Sequence, residues 1–339
     1  MMKTIQLKNT DLCVSNLCMG TGGFGEKLSR EQAFEVLDAY TQAGGNFLDT
    51  ANVYCRWVPG LDNSSEQIIG EWLKSRKAYG KVVIATKGGH YDFKNPSVSR
   101  VERNAVKRDL EESLQTLGLD CIDFYWLHRD DPNRPVEEVL GFLEEFRKEG
   151  KIRYYGGSNF TLERLKAYQQ AAENMGAQGF SGVSNQWSLA GQSAGWVPGD
   201  ATLVGVKQEE YRWHCETGMP LIPFTATASG FFEKLFAAGA QVKDGKLLSD
   251  PQTLALSSNV KEQYLNERNL KIYEMLCQLS KETGYSLFTL SLSYLLNQPF
   301  QVIPVSAVSR LEQLEGLLAA SELSYGSSWA AEFGVCSDH

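Results

Sequence analysis

Short, unbroken apolar runs alternate along the chain with longer stretches whose apolar residues recur at helical spacing. Leu17-Cys18-Met19-Gly20, Asn46 to Asp49, Val82 to Lys87 and Cys121 to His128 read as strands. They lack the apolar/polar alternation of a half-exposed strand, so they suit a parallel sheet covered on both faces. Helical patterns separate them. Ser29 can cap a helix over Arg30 to Ala43, with Glu31 in its first turn and Phe34, Leu37 and Tyr40 on one face. A second helix starts at Ser64-Ser65-Glu66 and carries Ile68, Ile69, Trp72 and Leu73. A third runs from about Ser99 to Leu117, with Val106, Leu110 and Leu114 aligned.

The alternation continues through helix Val136 to Glu149, strand Arg153 to Ser158, helix Leu162 to Asn174, strand Phe180 to Gln186, helix Lys207 to Glu216 and strand Leu221 to Phe224. An insertion from Thr225 to about Glu267 shows no clear pattern. Helices Leu270 to Glu282 and Leu287 to Leu296, strand Val302 to Val305 and helix Leu311 to Ala319 complete the series. Eight strands alternating with helices predict an α/β fold, a single (β/α)8 TIM barrel. An open doubly wound sheet is the rival. Thr4 to Leu12 reads as a short hairpin closing one end, and the extra loops and helices lie outside the repeat. The expected organisation is one domain over 1–339, with a core of about 14–320. The tail, 324–339, is Gly/Ser-rich with Trp329 and Phe333, and reads as a docked cover or a frayed end.

Composition narrows the function without naming it. The chain's 339 residues match one barrel with insertions, so a second domain is not needed. The formal net charge of -8 argues against nonspecific binding to nucleic acid or to an anionic membrane surface. No apolar run approaches the roughly 20 residues that span a bilayer, and the first residues lack a signal-peptide pattern. Cys13, Cys18, Cys55, Cys121, Cys215, Cys277 and Cys336 are odd in number and show no C-x-x-C spacing. Reduced thiols in a cytoplasmic protein are the plain reading.

In a (β/α)8 barrel the site lies at the C-terminal ends of the strands. Those ends hold Asp49, Lys87, His128, Ser158 with Asn159, Gln186 and Phe224, and Tyr54 follows in the loop after Asp49. Each alone has a bland explanation: a strand-end lysine is usually solvated, and a lone histidine is usually packed. Together they form a coherent chemistry. A tyrosine has an ordinary pKa of about 10, and a lysine ammonium beside it stabilises the phenolate. Asp49 would keep Lys87 charged and oriented. His128 would donate a hydrogen bond to a carbonyl oxygen. The set can polarise and protonate a carbonyl while a hydride reaches its carbon. No side chain supplies a hydride, so a cofactor must.

The runs Phe47-Leu48-Asp49-Thr50-Ala51-Asn52-Val53-Tyr54, Ala85-Thr86-Lys87-Gly88-Gly89, Tyr125-Trp126-Leu127-His128 and Gly157-Ser158-Asn159-Phe160 resemble the aldo-keto reductase superfamily, in the family's order, from Leu17 to about Leu318. The resemblance implies an NAD(P)H-dependent carbonyl reductase on a (β/α)8 barrel, without metal or flavin. It implies Tyr54 as proton donor, Asp49 and Lys87 as its tuning pair, and His128 as the group orienting the carbonyl. It assigns Ser158, Asn159 and Gln186 to the nicotinamide carboxamide, with Asp49 also facing the cofactor, and Phe224 to stacking on the ring. Gly20 and Thr21 fall where the backbone passes close to the cofactor. The run from Phe224 to Phe231, with Thr225, Ala226, Ser229 and Gly230, matches the loop over the pyrophosphate, although many members begin it Tyr-Ser-Pro-Leu. Ile303 to Leu314 resembles the segment gripping the adenosine 2′-phosphate, through Ser306, Ser309, Arg310 and Gln313. There Ala307 replaces a common glycine, and Ser309 falls where a basic residue is frequent. An arginine at a helix N-terminus suits a phosphate clamp. The expected cofactor is therefore NADP(H), with NAD(H) open.

Trp57, Trp187, Tyr54 and His128 are the candidate substrate contacts. Arg56, Val58, His90, Tyr91, Arg129 and Trp196 lie in the same loops. The aromatics suit an alkyl or aryl carbonyl. Arg56 and Arg129 either meet an anionic substrate or pair with Asp62, Asp130 or Asp131, and pairing is the plainer reading. Partners beyond a small carbonyl compound are not implied, and oligomeric state is not legible. The family also contains non-catalytic nucleotide-binding subunits of ion channels, which is the alternative. A metal-dependent hydrolase is disfavoured, since the four histidines make no H-x-H pair.

Overall fold

The structure is a computed structural model that describes residues 1–308 and 310–324. Ser309 and the tail from 325 onward lie outside the described residues. β1 (Thr4–Gln6) and β2 (Cys13–Ser15) form an N-terminal hairpin, with Ile5 opposite Val14; its second strand lies beyond the expected Thr4 to Leu12, which holds only the first strand and the turn. The chain then alternates through β3 (Cys18–Gly20), α1 (Arg30–Gln42), β4 (Phe47–Asp49), α2 (Ser64–Arg76), β5 (Val83–Gly88), α3 (Arg103–Leu117), β6 (Ile122–Leu127), α4 (Val136–Lys148), β7 (Ile152–Ser158), α5 (Leu162–Met175), β8 (Val183–Ser184) and α6 (Gln208–Thr217). Next come α7 (Phe231–Ala237), β9 (Val242–Lys243), β10 (Lys246–Leu247), α8 (Ser258–Tyr264), α9 (Glu267–Thr283), α10 (Leu287–Leu296), β11 (Val305–Ser306) and α11 (Glu312–Glu322).

Seven strands make one parallel sheet in the order β11-β3-β4-β5-β6-β7-β8. The strand expected at Leu221 to Phe224 is not a regular element. Pro220, Pro223 and Pro304 lie in or beside the adjoining segments and remove ladder donors there. Hydrogen bonds still cross the gap. Ile222 N donates to Val183 O at 2.7 Å, Ile303 N to Leu221 O at 2.9 Å, and Val305 N to Pro223 O at 2.9 Å.

Two apolar clusters explain why the sheet sits as it does. Leu17, Met19, Leu48, Ile84 and Tyr125 point outward and pack with the helices. Cys18, Phe47, Ala85, Phe124, Trp126, Ile222 and Ile303 meet inside the curve of the sheet, where Leu7, Leu12 and Val14 of the hairpin join them. Alternate residues thus serve opposite cores, which is the period of two expected of a strand. Gly156 leaves room for Trp126: a Cβ there would lie 2.4 Å from Gly182 O and 2.6 Å from the indole.

Local chemistry sets the helix ends. Ser29 and Gln32 form a reciprocal capping box at α1. α3 starts at Arg103 rather than Ser99 because Arg100 is held elsewhere, donating to His90 O at 2.9 Å and to Asp109 at 2.5 Å. The insertion after Thr225 is not structureless. It holds α7, the β9–β10 hairpin and α8. The hairpin turns on Asp244-Gly245, whose φ values of 52° and 73° fit the mirror-image turn that Asp-Gly favours.

Glu66, in the first turn of α2, is buried and accepts hydrogen bonds from Thr86 Oγ1 at 2.6 Å and Asn63 Nδ2 at 3.2 Å. Burial pushes its carboxyl up to about 7. The folded chain therefore keeps a proton that the unfolded chain releases above its ordinary value of 4.5. The stability this gives is full below that value and is lost as pH rises towards about 7, at roughly 1.4 kcal/mol per pH unit. Glu66→Gln is expected to gain stability relative to wild type across this window. Parallel curves of Tm against pH for the two proteins would contradict the account.

Candidate active site

Strand register builds the site. Asp49 ends β4 opposite Ala85 of β5, and side chains alternate, so Lys87 shares the inward face with Ala85. Lys87 in turn lies opposite Trp126 of β6, and His128, two residues on, takes the same face. His128 N donates to Gly88 O at 2.8 Å, which extends the ladder past the last regular residue. The side chain of Lys87 then turns towards Asp49. Its Nζ donates to Asp49 Oδ2 at 2.5 Å, Thr50 O at 2.8 Å and Tyr54 Oη at 3.1 Å. All three ammonium protons are used, and the pair is almost sealed, with each side chain 3% exposed. Tyr54 reaches back because the chain turns sharply after it. Cys55 takes φ of 74°, and its thiol donates to Phe24 O. The rings of Tyr54 and His128 meet edge-on, with centroids 6.0 Å apart.

Burial governs the protonation of these groups. It works against the Lys87 ammonium, but Asp49 and Tyr54 outweigh it and raise the lysine's pKa. Burial raises Asp49, and Lys87 counters this. The indole of Trp126 also draws Asp49 down but falls short of hydrogen-bond geometry, so Asp49 Oδ1 has no partner among the described residues. Burial raises Tyr54 too. Lys87 lowers it, as the sequence leads one to expect, but does not win: the net shift is upward and the phenol stays protonated. His128 is pushed well down by burial, then by the nearby Arg129, His90 and Lys87, and is therefore neutral. His90, whose ring lies 4.8 Å from that of His128, is pushed down to about 4 by burial and by Arg129.

A cavity of about 370 Å³ opens beside this cluster. Its lining brings together Gly20, Thr21, Asp49, Tyr54, Phe224, Thr225, Ala226, Ser229 and Ser306 from the expected set. Thr227, within the run matched to the pyrophosphate loop, lines it as well, and Lys27 joins them without having been singled out in the sequence; the Gly22-Gly23 pair that makes room beside Lys27 was the available signal. The loop over the cavity holds three non-glycine residues at positive φ, Thr225 at 55°, Ala228 at 50° and Ser229 at 56°. Strained backbone of this kind concentrates at functional sites.

Other expected residues lie apart from this cavity. Ser158 Oγ donates to Ser184 O at 2.8 Å, and Asn159 Nδ2 donates to His128 O at 3.2 Å. Gln186 donates to Tyr264 Oη at 3.0 Å and lines a second cavity of about 830 Å³. Trp187 turns into the core against Phe300, Tyr211 and Tyr294, and is 4% exposed. Trp57 is exposed at the mouth, edge-on to Tyr54 and to Phe93. Gly230 caps α7 just outside the cavity lining. Arg310 is exposed ahead of α11, its N–H bonded to the Gln313 side chain. Ser309, between Ser306 and Arg310, is outside the described residues. Arg56 pairs with Glu112 at 2.5 Å and Asp62 at 3.3 Å. Arg129 pairs with Asp200 at 2.8 Å rather than with its neighbours Asp130 and Asp131.

The described residues contain no group of three or more His, Cys, Asp and Glu side chains placed to hold a metal ion. Nor do they contain a helix long and apolar enough to cross a membrane.

A family model described as aldo/keto reductase family matches residues 16–333. A putative aryl-alcohol dehydrogenase of Saccharomyces cerevisiae is 27% identical over 323 residues, covering 92% of this chain and 79% of that protein. A norsolorinic acid reductase B of Dothistroma septosporum is 25% identical over 333 residues, covering 94% and 77%. A Phanerodontia chrysosporium protein named aryl-alcohol dehydrogenase with NADP(+) is 25% identical over 332 residues, covering 92% and 80%.

Proposed function

The chain belongs to the aldo/keto reductase family, and from this we propose that it reduces aldehyde or ketone carbonyls to alcohols with a nicotinamide nucleotide, Tyr54 being the proton donor. The observation that carries the proposal is the buried chain Asp49–Lys87–Tyr54, which ends beside His128 on the wall of a cavity. We read the sheet, with the bonds through Ile222, Ile303 and Val305, as a closed (β/α)8 barrel.

The cavity wall suits the nucleotide. Asp49 Oδ1 and Ser306 Oγ are buried there without a partner among the described residues. Phe224 offers a flat ring, and Gly20 and Thr21 bring backbone close to the cavity. When bound, the nucleotide supplies a hydride to the carbonyl carbon. The chain supplies the rest. Lys87, fixed by Asp49 and Thr50 O, holds the phenol of Tyr54 in place and stabilises the phenolate left after proton transfer. The neutral imidazole of His128 donates to the carbonyl oxygen and orients it without adding charge. Asp49, Ser158, Asn159 and Gln186 are the proposed nicotinamide-side contacts, with Thr225, Ala226, Ser229 and Gly230 at the pyrophosphate.

The mouth favours a flat, apolar substrate. Trp57, Phe93, His90 and Tyr91 form a chain of edge and tilted ring contacts leading out from Tyr54. Two of the relatives are named for aryl alcohols, in keeping with an aryl aldehyde. The test is a panel of aryl aldehydes, alkyl aldehydes, ketones and sugars, followed by loss of reduced-nicotinamide absorbance. No turnover of any of them with either nucleotide would reject the function.

NADPH is the proposed nucleotide, with Arg310, beside the N-terminus of α11, as the phosphate clamp alongside Ser306, Ser309 and Gln313. Losing a charge-assisted hydrogen bond costs about 1.5–3 kcal/mol, so Arg310→Ala is expected to raise KM for NADPH by roughly tenfold or more and to leave KM for NADH unchanged. Equal efficiency of the wild-type protein with the two nucleotides would remove the clamp.

A further inference from the structure

The main-chain carbonyl of His128 is held twice. Arg129 Nη1 donates to it at 2.8 Å and Asn159 Nδ2 at 3.2 Å. One short stretch of the loop between β8 and α6, residues 200–204, grips both donors. Arg129 Nη2 donates to Asp200 Oδ2 at 2.8 Å, and its Nε donates to Thr202 Oγ1 at 2.6 Å. Val204 N donates to Asn159 Oδ1 at 3.1 Å. Asp200 is the hub of the stretch. Its Oδ2 also accepts from Tyr91 Oη at 2.9 Å, and its Oδ1 accepts from Thr202 N at 2.9 Å. The Arg129 guanidinium sits 5.7 Å from the centre of the Tyr91 ring. The residue before Tyr91, His90, presents its ring to His128.

Arg129 is 7% exposed and stands next to the imidazole that faces the carbonyl. A cation so enclosed requires a paired anion, and fixing the pair fixes what the cation holds. His128 makes no hydrogen bond through Nδ1 among the described residues. Its ring direction is therefore set by its backbone and by the rings around it, and the backbone is what the stretch 200–204 secures. The same stretch lines the larger cavity through Ala201, Leu203 and Val204, next to Gln186.

We infer that Asp200 and Arg129 are positioning residues for the reaction, a latch by which the loop at 200–204 locks His128 in the direction that orients the carbonyl. The inference rests on the assignment of His128 and Tyr54 above. Its electrical consequence can be read separately from its mechanical one. The charged and titratable groups around Tyr54 are Lys87 of β5, Asp49 of β4, and His128 and Arg129 beyond β6. Those around Arg129 are Asp200, Tyr91, His90 and His128, with Arg100, Asp130 and Asp131 on the small cavity it lines. Arg129 lowers the Tyr54 phenol slightly, and Asp200 offsets that charge.

Asp200→Asn keeps the shape but leaves Arg129 uncompensated. Its kcat is expected to fall roughly tenfold, a modest case of what misplacing a reacting group costs. The phenol should ionise at lower pH, so the alkaline limb of kcat/KM moves to lower pH by a fraction of a unit. Arg129→Met should also lose kcat, but its alkaline limb moves to higher pH. Arg129→Lys keeps the charge and loses the planar fork, so kcat falls while the limb stays in place. Loss of packing alone would not shift the limb in opposite directions in two variants. If Asp200→Asn does not fold, the Arg129→Met limb decides alone, and no movement overturns the latch. Wild-type kcat with an unmoved limb in both variants overturns it as well. Tyr54→Phe, assayed alongside, separates the two levels. Full activity in that variant rejects the underlying chemistry, whereas an inactive Tyr54→Phe with unperturbed latch variants rejects the latch only.

Discussion

Tyr54→Phe is expected to lower kcat for carbonyl reduction by roughly 10²–10⁴-fold, the usual contribution of a positioned general acid. Nucleotide affinity, read from quenching of protein fluorescence, should stay within about twofold, because the phenol's assigned role is proton transfer rather than binding. The fold should tolerate the change. The ring keeps its packing against Gly22 and its edge contact with Trp57. Only the hydrogen bond from Lys87 Nζ is lost, and that ammonium retains Asp49 and Thr50 O. A typical hydrogen bond is worth about 1 kcal/mol, so Tm should move by a few degrees at most. The raised phenol pKa gives the direction of the wild-type pH profile. The donor is protonated at neutral pH, and activity is lost on the alkaline side as it ionises. A variant with unchanged kcat would show that the proton comes from elsewhere and would reject Tyr54 as the donor.

Lys87→Met should have the largest effect on stability. The substitution keeps the apolar stem and removes the cation that Asp49 faces inside the sheet. Breaking a buried pair from one side costs about 3–5 kcal/mol, because the remaining charge has neither water nor partner. Asp49 can escape by taking a proton. Its carboxyl is already raised by burial, and without Lys87 nothing comparable opposes the shift. The folded variant then holds a proton that the unfolded chain releases, so its stability falls as pH rises above the ordinary aspartate value of about 3.9. The deficit relative to wild type should therefore shrink in acid and widen towards neutrality. Lys87→Met with Asp49→Asn should recover much of the stability and none of the activity, since the phenol still lacks its ammonium. Thermal melts across pH check the first claim, and steady-state rates check the second. A single variant as stable as wild type at neutral pH would mean that the pair is not the buried, mutually dependent unit its geometry describes.

The strand ends were legible because parallel strands covered on both faces leave a plain signal. Each is a continuous apolar run that stops at a residue its core would not otherwise accept: Asp49, Lys87 and His128. The turn and cap signals were as clear at Ser29, and the Asp244-Gly245 hairpin was present in the sequence but hidden within a region read only as insertion. The start of α3 was misplaced because Arg100 is drawn to Asp109 and to His90 O, contacts that no helical propensity reports. The strand at Leu221 to Phe224 looked as apolar as the others, but its prolines thin the ladder on both sides. Trp187 was legible as a residue following a strand end, but not its stacking on Phe300 at the edge of the cavity it lines with Gln186, a contact made across a long separation.

By itself, then, the sequence determined which residues carry charge at the ends of buried strands, because side-chain period and strand burial are local properties of the chain. It also carried the order of elements and the likeness to a reductase family. The tertiary structure alone decided who meets whom across long separations, and with what protonation. Arg129 finds Asp200 rather than Asp130, Gln186 finds Tyr264, and Tyr54 keeps its proton even though Lys87 touches it. Those outcomes depend on distance and on how much water is excluded, and both are set only when the loops close over the strand ends.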